Sequence, residues 1–298
     1  MGAKPRIVTV GAGGRLGSAL MRAYRDRFTI IGFDHAQLDL GDQARFRDVI
    51  GTTDFDVMIN CAALTNVDYC ETHREEAFLV NAEAPRVLAE ICEKKGARFV
   101  HVSTDYVFDG KKKEPYLEED SAEPISVYGE SKREGEKLVL AAGRSHLVVR
   151  LSWVFGPDRP SFIDGVLKSA REKDHVEAVA DKFSTPTYTR DVAEMLQNVV
   201  VAGVADPGYD GILHLANAGS CSWQEYAQWA LDCAHAAGIP LKARTVGAIS
   251  LNDIKNFIAK RPVYSVLSTE KYQRLTGKSP RDWRDAVSEY VQEVQTKL

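Results

Sequence analysis

Arg6-Ile-Val-Thr-Val-Gly-Ala-Gly-Gly-Arg-Leu-Gly17 is the stretch that decides the fold. Its first five residues form a short β-branched run that reads as a buried strand. Gly11, Gly14 and Gly17 follow at G-x-x-G-x-x-G spacing, and Ser18-Ala-Leu-Met-Arg-Ala-Tyr24 then has helical composition. The glycines lack a Cβ, so the backbone can approach a pyrophosphate, and the N-terminus of the helix faces the anion. Glycines alone would equally describe a flexible loop; the strand before and the helix after favour a dinucleotide site. A second apolar run, Phe28-Thr-Ile-Ile-Gly-Phe33, ends at Asp34. That is the place at which an acidic side chain meets the adenosine ribose. A carboxylate there repels a 2′-phosphate and favours NADH, while His35 and nearby arginines leave NADPH open. The expected cofactor is therefore NADPH or NADH.

Working outward, Asp56-Val-Met-Ile-Asn60, Arg98-Phe-Val-His-Val-Ser103 and Leu147-Val-Val-Arg-Leu-Ser152 read as further strands. Arg74 to Lys95, between two of them, is rich in Ala, Glu and Leu and reads as a helix. Such alternation predicts an α/β fold: a doubly wound parallel sheet of the Rossmann type, with crossover helices. Ligands of these sheets bind beyond the carboxyl ends of the strands. Gly11, Asp34, Cys61-Ala-Ala63, Thr104 and Trp153 all fall just after predicted strands and should share one sheet edge. The dinucleotide-binding domain is expected over 1–155 with a later return near 185–217, where Gly211-Ile-Leu-His-Leu-Ala216 reads as a strand. Residues 156–298, after the break at Gly156-Pro157, should form mainly a smaller C-terminal substrate-binding domain. Helices are expected there near 161–173, 190–203, 222–237 and 282–297.

Tyr128-Gly-Glu-Ser-Lys132 adds chemistry. On a helix, residues four apart share a face, so the Lys132 ammonium should lie beside the Tyr128 phenol. A nearby cation lowers a phenol's pKa, which would let Tyr128 trade a proton with a carbonyl or hydroxyl oxygen. Thr104, at a strand end, would hydrogen-bond the same oxygen.

Composition excludes other classes. The net charge of -4 over 298 residues leaves no footprint for nucleic acid or an anionic membrane. Lys111-Lys-Lys113 is followed by acidic residues and reads as a solvated loop. No apolar run approaches the length of a membrane span, and the N-terminus shows no signal-peptide core. The five cysteines are odd in number with no C-x-x-C spacing, which fits a reducing cytoplasm. The seven histidines are scattered and predict no metal site.

With these residues in place, the chain resembles the extended short-chain dehydrogenase/reductase superfamily, and within it the dTDP-4-dehydrorhamnose reductase family. The markers run nearly the whole length: Gly11 to Gly17, Asp39-Leu40, Asn60-Cys-Ala-Ala-Leu-Thr-Asn-Val-Asp68 and Ser103-Thr-Asp-Tyr-Val-Phe-Asp-Gly110. They continue with Pro124, Val127-Tyr-Gly-Glu-Ser-Lys132, Arg150-Leu-Ser-Trp-Val154, Asp181-Lys-Phe-Ser-Thr-Pro-Thr187 and Arg261-Pro262. The resemblance implies that Gly11, Ala12, Gly13, Gly14, Arg15 and Leu16 hold the pyrophosphate. Asp39 and Leu40 would meet the adenine, and Ala62, Ala63, Thr65 and Ser103 would lie along the cofactor. Lys132 would bind the nicotinamide ribose and tune Tyr128. Thr104, Asp105 and Trp153 would contact the sugar, and Arg261 would clamp the diphosphate. The implied reaction is hydride transfer to C4 of a 4-keto-6-deoxy sugar nucleotide, with Tyr128 as acid, in a cytoplasmic homodimer. Some relatives hold a divalent ion with acidic side chains near the glycine loop; Arg15 argues against such a site here. A 4,6-dehydratase would need Glu where Tyr106 stands. Another sugar-nucleotide reductase or an epimerase fits the same markers. A cofactor-binding regulatory subunit, resembling the methionine adenosyltransferase β subunit, would be expected to have lost Thr104, Asp105 and Trp153, and all three are present.

Overall fold

The computed structural model describes residues 4–203 and 207–294. The opening stretch forms β1 (Arg6–Val10), a turn, and α1 (Arg15–Tyr24), followed by β2 (Thr29–Phe33), α2 (Gln43–Thr52) and β3 (Val57–Asn60). Asp42 starts α2 by accepting from the Arg45 N–H at 3.0 Å, which leaves Asp39 out of the helix cap. After β3 come α3 (Val67–Thr72), α4 (Arg74–Phe78), a π-helical turn (Leu79–Glu83) and α5 (Ala84–Lys95). The helix expected over Arg74 to Lys95 is thus continuous in direction but widened at its centre. Asn81 sits there, accepting from Leu64 N at 2.8 Å and donating to Ser131 Oγ at 3.0 Å. A π-turn lets one residue bulge to reach such partners. β4 (Arg98–Thr104), α6 (Val127–Ala142) and β5 (His146–Leu151) complete this half.

The strand Gly211–His214 pairs parallel with β5, giving a six-stranded sheet in the order Gly211–His214, β5, β4, β3, β1, β2. Every pairing in it is parallel. Side chains alternate across each strand, so Ile7 faces one apolar layer with Leu20 and Tyr24, and Val8 and Val10 face another with Phe46 and Ile50. The helix Thr189–Gly203 belongs to the first layer: Val192 and Leu196 pack there, and Tyr24 Oη donates to Ala193 O at 2.8 Å. A separate aromatic-rich cluster, including Phe155, Tyr188, Tyr226, Trp283 and Tyr290, forms the core of the second half. Its helices Phe162–Glu172 and Trp223–Ala236 lie within a residue of expectation; Trp283–Val294 runs to the last described residue, and the expected stretch 295–297 lies outside the described residues.

The strand order reverses around β1, where Val10 is paired with Phe33 of β2 on one side and Asn60 of β3 on the other. Both neighbouring chains leave in opposite directions, which opens a crevice at that point. The glycines make the crossing possible. Gly11 has φ +78°, and a Cβ there would stand 2.7 Å from Ala62 N. A Cβ on Gly17 would stand 2.1 Å from the Gly11 carbonyl oxygen. Gly17→Ala is therefore expected to lower stability by roughly 1–3 kcal/mol through overpacking, and to weaken dinucleotide binding with it. Thermal denaturation with and without NADPH checks this; an unchanged melting temperature would mean the turn is looser than the geometry shows.

Candidate active site

The carboxyl ends of β1 to β5 open into one cavity of about 1210 Å³. The glycine turn (Gly11, Gly13, Gly14, Arg15 and Leu16) lines it beyond β1, with Asp34, Asp39 and Leu40 beyond β2 to one side and Ala62, Ala63 and Thr65 beyond β3 to the other. Ser103, Thr104, Tyr128, Lys132 and Trp153 stand at the opposite end. The topology thus brings together most of the residues singled out in the sequence. Ala12 is not in the lining; its N–H donates to the Phe33 carbonyl at 2.9 Å, which ties the turn to β2. Gly14 caps α1 without a side-chain acceptor, so the first N–H groups of the helix stay available to an anion. The turn, the uncapped helix and the close backbone approach at Gly11 fit a dinucleotide.

Arg15 lines the cavity but commits three of its five guanidinium donors to the protein. Its guanidinium donates to the carbonyls of Val154, Arg159 and Pro160, binding α1 to the segment after β5. Arg22 secures the same segment through Asp158. Arg159, which the sequence reading missed, lines the cavity and donates from Nε and Nη2 to Gly13 O at 3.0 and 2.8 Å. Its only sequence signal was its nearness to the Gly156-Pro157 break.

At the Tyr128 end, Ser126 starts α6 by accepting from the Gly129 N–H, which sets Tyr128 in the first turn. Burial pushes the Tyr128 phenol well above its ordinary range, with the Thr104 hydroxyl hydrogen-bonded to it and acting the other way. The expected lowering by Lys132 is absent. Lys132 Nζ donates to Val102 O at 2.7 Å and lies 3.3 Å from His101 Nε2. Residues four apart share a helix face, but a long side chain on that face goes to the nearest acceptor, and here β4 supplies it.

Ser103 likewise presents its backbone to the cavity while its hydroxyl donates to Glu136 at 2.6 Å. Asp105, expected at the sugar, is 2% exposed. Its Oδ2 accepts from the hydroxyls of Ser265, Ser184 and Ser152 at 2.6, 3.0 and 3.3 Å, and its Oδ1 from Thr104 at 3.1 Å. Asp105 borders the cavity, but its oxygens are committed to holding Thr104 and three serines from distant segments. Lys182 is buried nearby, donating to Pro262 O at 2.7 Å with Nζ 5.1 Å over Tyr106 and 5.6 Å over Trp153. Burial pushes it down to about 8, Asp105 opposing.

Trp153 has φ 37°, the sole positive φ outside glycine among the described residues. Such backbone costs free energy and persists where surrounding contacts over-determine it. Its ring stacks on Tyr226 and leans on Trp223, while its indole N–H is covered and unpartnered. The ring, not the N–H, is what the cavity sees. Arg261, expected to clamp the diphosphate, is paired with an acid in this structure. Its guanidinium forms a fork with Asp68, with contacts of 3.2 and 2.6 Å, and lies 3.4 Å over Phe257. That pairing pulls Asp68 down to about 2, and Arg261 does not line the cavity. An arginine facing an acid 193 residues away is invisible to sequence pattern. Among the described residues there is no cluster of His, Cys, Asp or Glu suited to a metal and no helix long and apolar enough to cross a membrane.

Comparison with known proteins agrees with this geometry. The family model for the RmlD substrate binding domain matches residues 5–296. A dTDP-4-dehydrorhamnose reductase of Aggregatibacter actinomycetemcomitans is 34% identical over 95% of this chain and 97% of its own. A probable dTDP-4,6-dihydroxy-2-methyloxan-3-one 4-ketoreductase of Streptomyces antibioticus is 37% identical over 95% of this chain and 94% of its own. The crystal structure of the Bacillus anthracis dTDP-4-dehydrorhamnose reductase in complex with NADP superposes with a TM-score of 0.89 at 30% identity, covering 97% of this chain and 99% of that one. With a sheet edge, a glycine turn and a buried Tyr128 arranged as described, and a match from one end to the other, this chain belongs to the RmlD substrate binding domain family.

Proposed function

We propose that this protein reduces the C4 keto group of dTDP-4-dehydro-L-rhamnose to give dTDP-L-rhamnose, using NADPH or NADH. The observation that carries the reading is the convergence of Thr104, Tyr128 and Trp153 on the cavity that also holds the glycine turn. The turn over Gly11 to Leu16 would hold the pyrophosphate, with Arg159 beside it, Asp34 would meet the adenosine ribose, and Asp39 with Leu40 the adenine. Lys132 would hold the nicotinamide ribose. When bound, the reduced nicotinamide supplies the hydride.

The chain's own residues do the rest. Tyr128 keeps its proton across the neutral range because burial opposes the phenolate, and delivers it from Oη to the oxygen that gains charge at C4. Thr104 accepts from the N–H of Tyr106 at 3.2 Å and stands beside that phenol; its one hydroxyl proton, accepted by Asp105 at 3.1 Å in this structure, would swing to the carbonyl oxygen to orient it. Trp153 offers an apolar face to the C6 methyl group. The same reading takes the enzyme to be cytoplasmic and a homodimer.

Incubation with NADPH and dTDP-4-keto-6-deoxy-L-mannose, with the product identified by NMR, tests the reading. Formation of dTDP-L-rhamnose is expected. The likeness to the Streptomyces 4-ketoreductase favours one second reading, a related dTDP-4-keto-deoxysugar as substrate. Turnover of that sugar alone would select it. For the wall at Trp153, Trp153→Ala should weaken product binding roughly tenfold or more, about 1.4 kcal/mol, with cofactor affinity unchanged. Titration with NADPH and then dTDP-L-rhamnose reads both; a loss confined to the cofactor would remove Trp153 from the sugar site.

A further inference from the structure

Two buried polar residues remain that the reductase reading does not use, and the inference drawn from them rests on that reading. Asn60 ends β3 and is the register partner of His101 in β4. Partners in parallel strands send their side chains to the same face of the sheet. Both residues are 0% exposed. Asn60 Oδ1 accepts from the Ala62 N–H at 3.0 Å, which turns the amide nitrogen toward the imidazole, 3.2 Å from His101 Nδ1. Nδ1 is therefore the accepting nitrogen, and the ring carries its proton on Nε2. That N–H faces Lys132 Nζ at 3.3 Å, and Nζ itself donates to Val102 O at 2.7 Å.

A neutral amine satisfies every group in this frame. Its lone pair accepts from Nε2–H, and it still donates to the Val102 carbonyl. An ammonium has no lone pair. Its hydrogen would meet the ring's hydrogen, or the ring would shift its proton to Nδ1 and lose the bond from Asn60. We propose that His101, oriented by Asn60, is a positioning residue that parks Lys132 as a neutral amine, so that cofactor binding takes up a proton from solvent as Lys132 turns to the ribose hydroxyls. The balance is one amine plus one proton giving one ammonium, with three donors where the amine had two.

The surrounding groups are consistent with this. Burial pushes Lys132 down to about 8, with Glu136 acting in the opposite direction. Cys61 is pushed up to about 12 by burial and stays a neutral thiol. Glu136, one turn further along α6, is committed to Arg150 and Ser103. Tyr128, one turn earlier, keeps its proton. His101 is held well below its ordinary value by burial and then by Lys132, so the ring stays neutral.

The test is calorimetric titration of the native protein with NADPH in buffers of different ionisation enthalpy, across about pH 6.5 to 9. Uptake should be small at the acid end, about half a proton near pH 8, and larger above it, because the free enzyme then holds more neutral amine. His101→Gln places an amide at the same spot whose oxygen can accept from an ammonium. It should move the midpoint of uptake roughly one pH unit higher. NADPH binding without proton uptake, or an unmoved midpoint in His101→Gln, overturns the proposal. The ¹⁵N spectrum of the histidine rings in the native protein needs no variant: an Nε2–H tautomer for His101 is expected, and an Nδ1–H tautomer overturns it. Failure of NADPH to bind at all would instead bring down the dinucleotide reading, and this inference with it.

Discussion

Tyr128→Phe should lower kcat by roughly two to four orders of magnitude, the usual share of general acid catalysis, with cofactor affinity close to that of the parent. The substitution removes one oxygen and keeps the ring, which packs edge-on against Tyr106 at 5.7 Å between centroids. Stability should therefore change little, and the loss can be read as chemistry. The pH dependence follows from the neighbours. Burial keeps the phenol protonated through the neutral range, so Tyr128 does not limit the alkaline side first. Lys132, with a proton affinity lowered to about 8, is charged below that pH and neutral above it. In the parent, kcat/KM for NADPH should fall as pH rises through about 8, because that ratio reports the enzyme free of cofactor. Steady-state rates across pH, for parent and variant, check both parts. Near-normal turnover in Tyr128→Phe would end its assignment as the acid.

The second large effect is on stability. Arg150 and Glu136 are 1% and 0% exposed and form a two-point ion pair, at 2.9 Å to Oε1 and 2.8 Å to Oε2. Ser103 donates to the same carboxylate, and the Arg150 guanidinium lies 5.0 Å over Phe108. The pair joins β5, α6 and β4 behind the catalytic end. Glu136→Ala strands a guanidinium in the interior and should cost roughly 3–5 kcal/mol. In a chain of this size that is a fall in Tm on the order of 10 °C. Pairing it with Arg150→Met should restore much of the loss, because removing both charges removes the desolvation cost as well. Thermal unfolding of the two single variants and the double variant decides the matter. A double variant as unstable as the sum of the singles would show that the ions contribute through packing rather than charge.

Much of the site was legible because the rule that places it is topological. Parallel strands joined by crossover helices end on one edge, so each residue following an apolar run was bound for the same cavity. Gly11, Asp34, Ala62, Thr104 and Trp153 all lie there. The helix over Arg74 to Lys95 shows the limit of that reading. Its composition is helical throughout, yet Asn81 pulls one turn into a π form to reach Leu64 and Ser131. Local periodicity carries no record of such partners. A weak signal did exist for both His101 and Asn60: Asn60 is the one polar residue of buried β3, and His101 interrupts the apolar run Phe99 to Val102 of β4.

By itself, the sequence determined the parallel sheet, the glycine turn at its switch point and the identity of the residues that end each strand. These follow from short apolar, β-branched runs, from helix-length polar-apolar patterns and from the one residue that lacks a Cβ. Only the tertiary structure decided where the charged and polar side chains went. It set Arg261 on Asp68, Arg15 on the carbonyls after β5, Asp105 among three serines and Lys132 against His101. The physical reason is reach and competition. A long or polar side chain takes whichever partner the packed interior brings within about 3 Å, and that partner is commonly tens to hundreds of residues away in the chain.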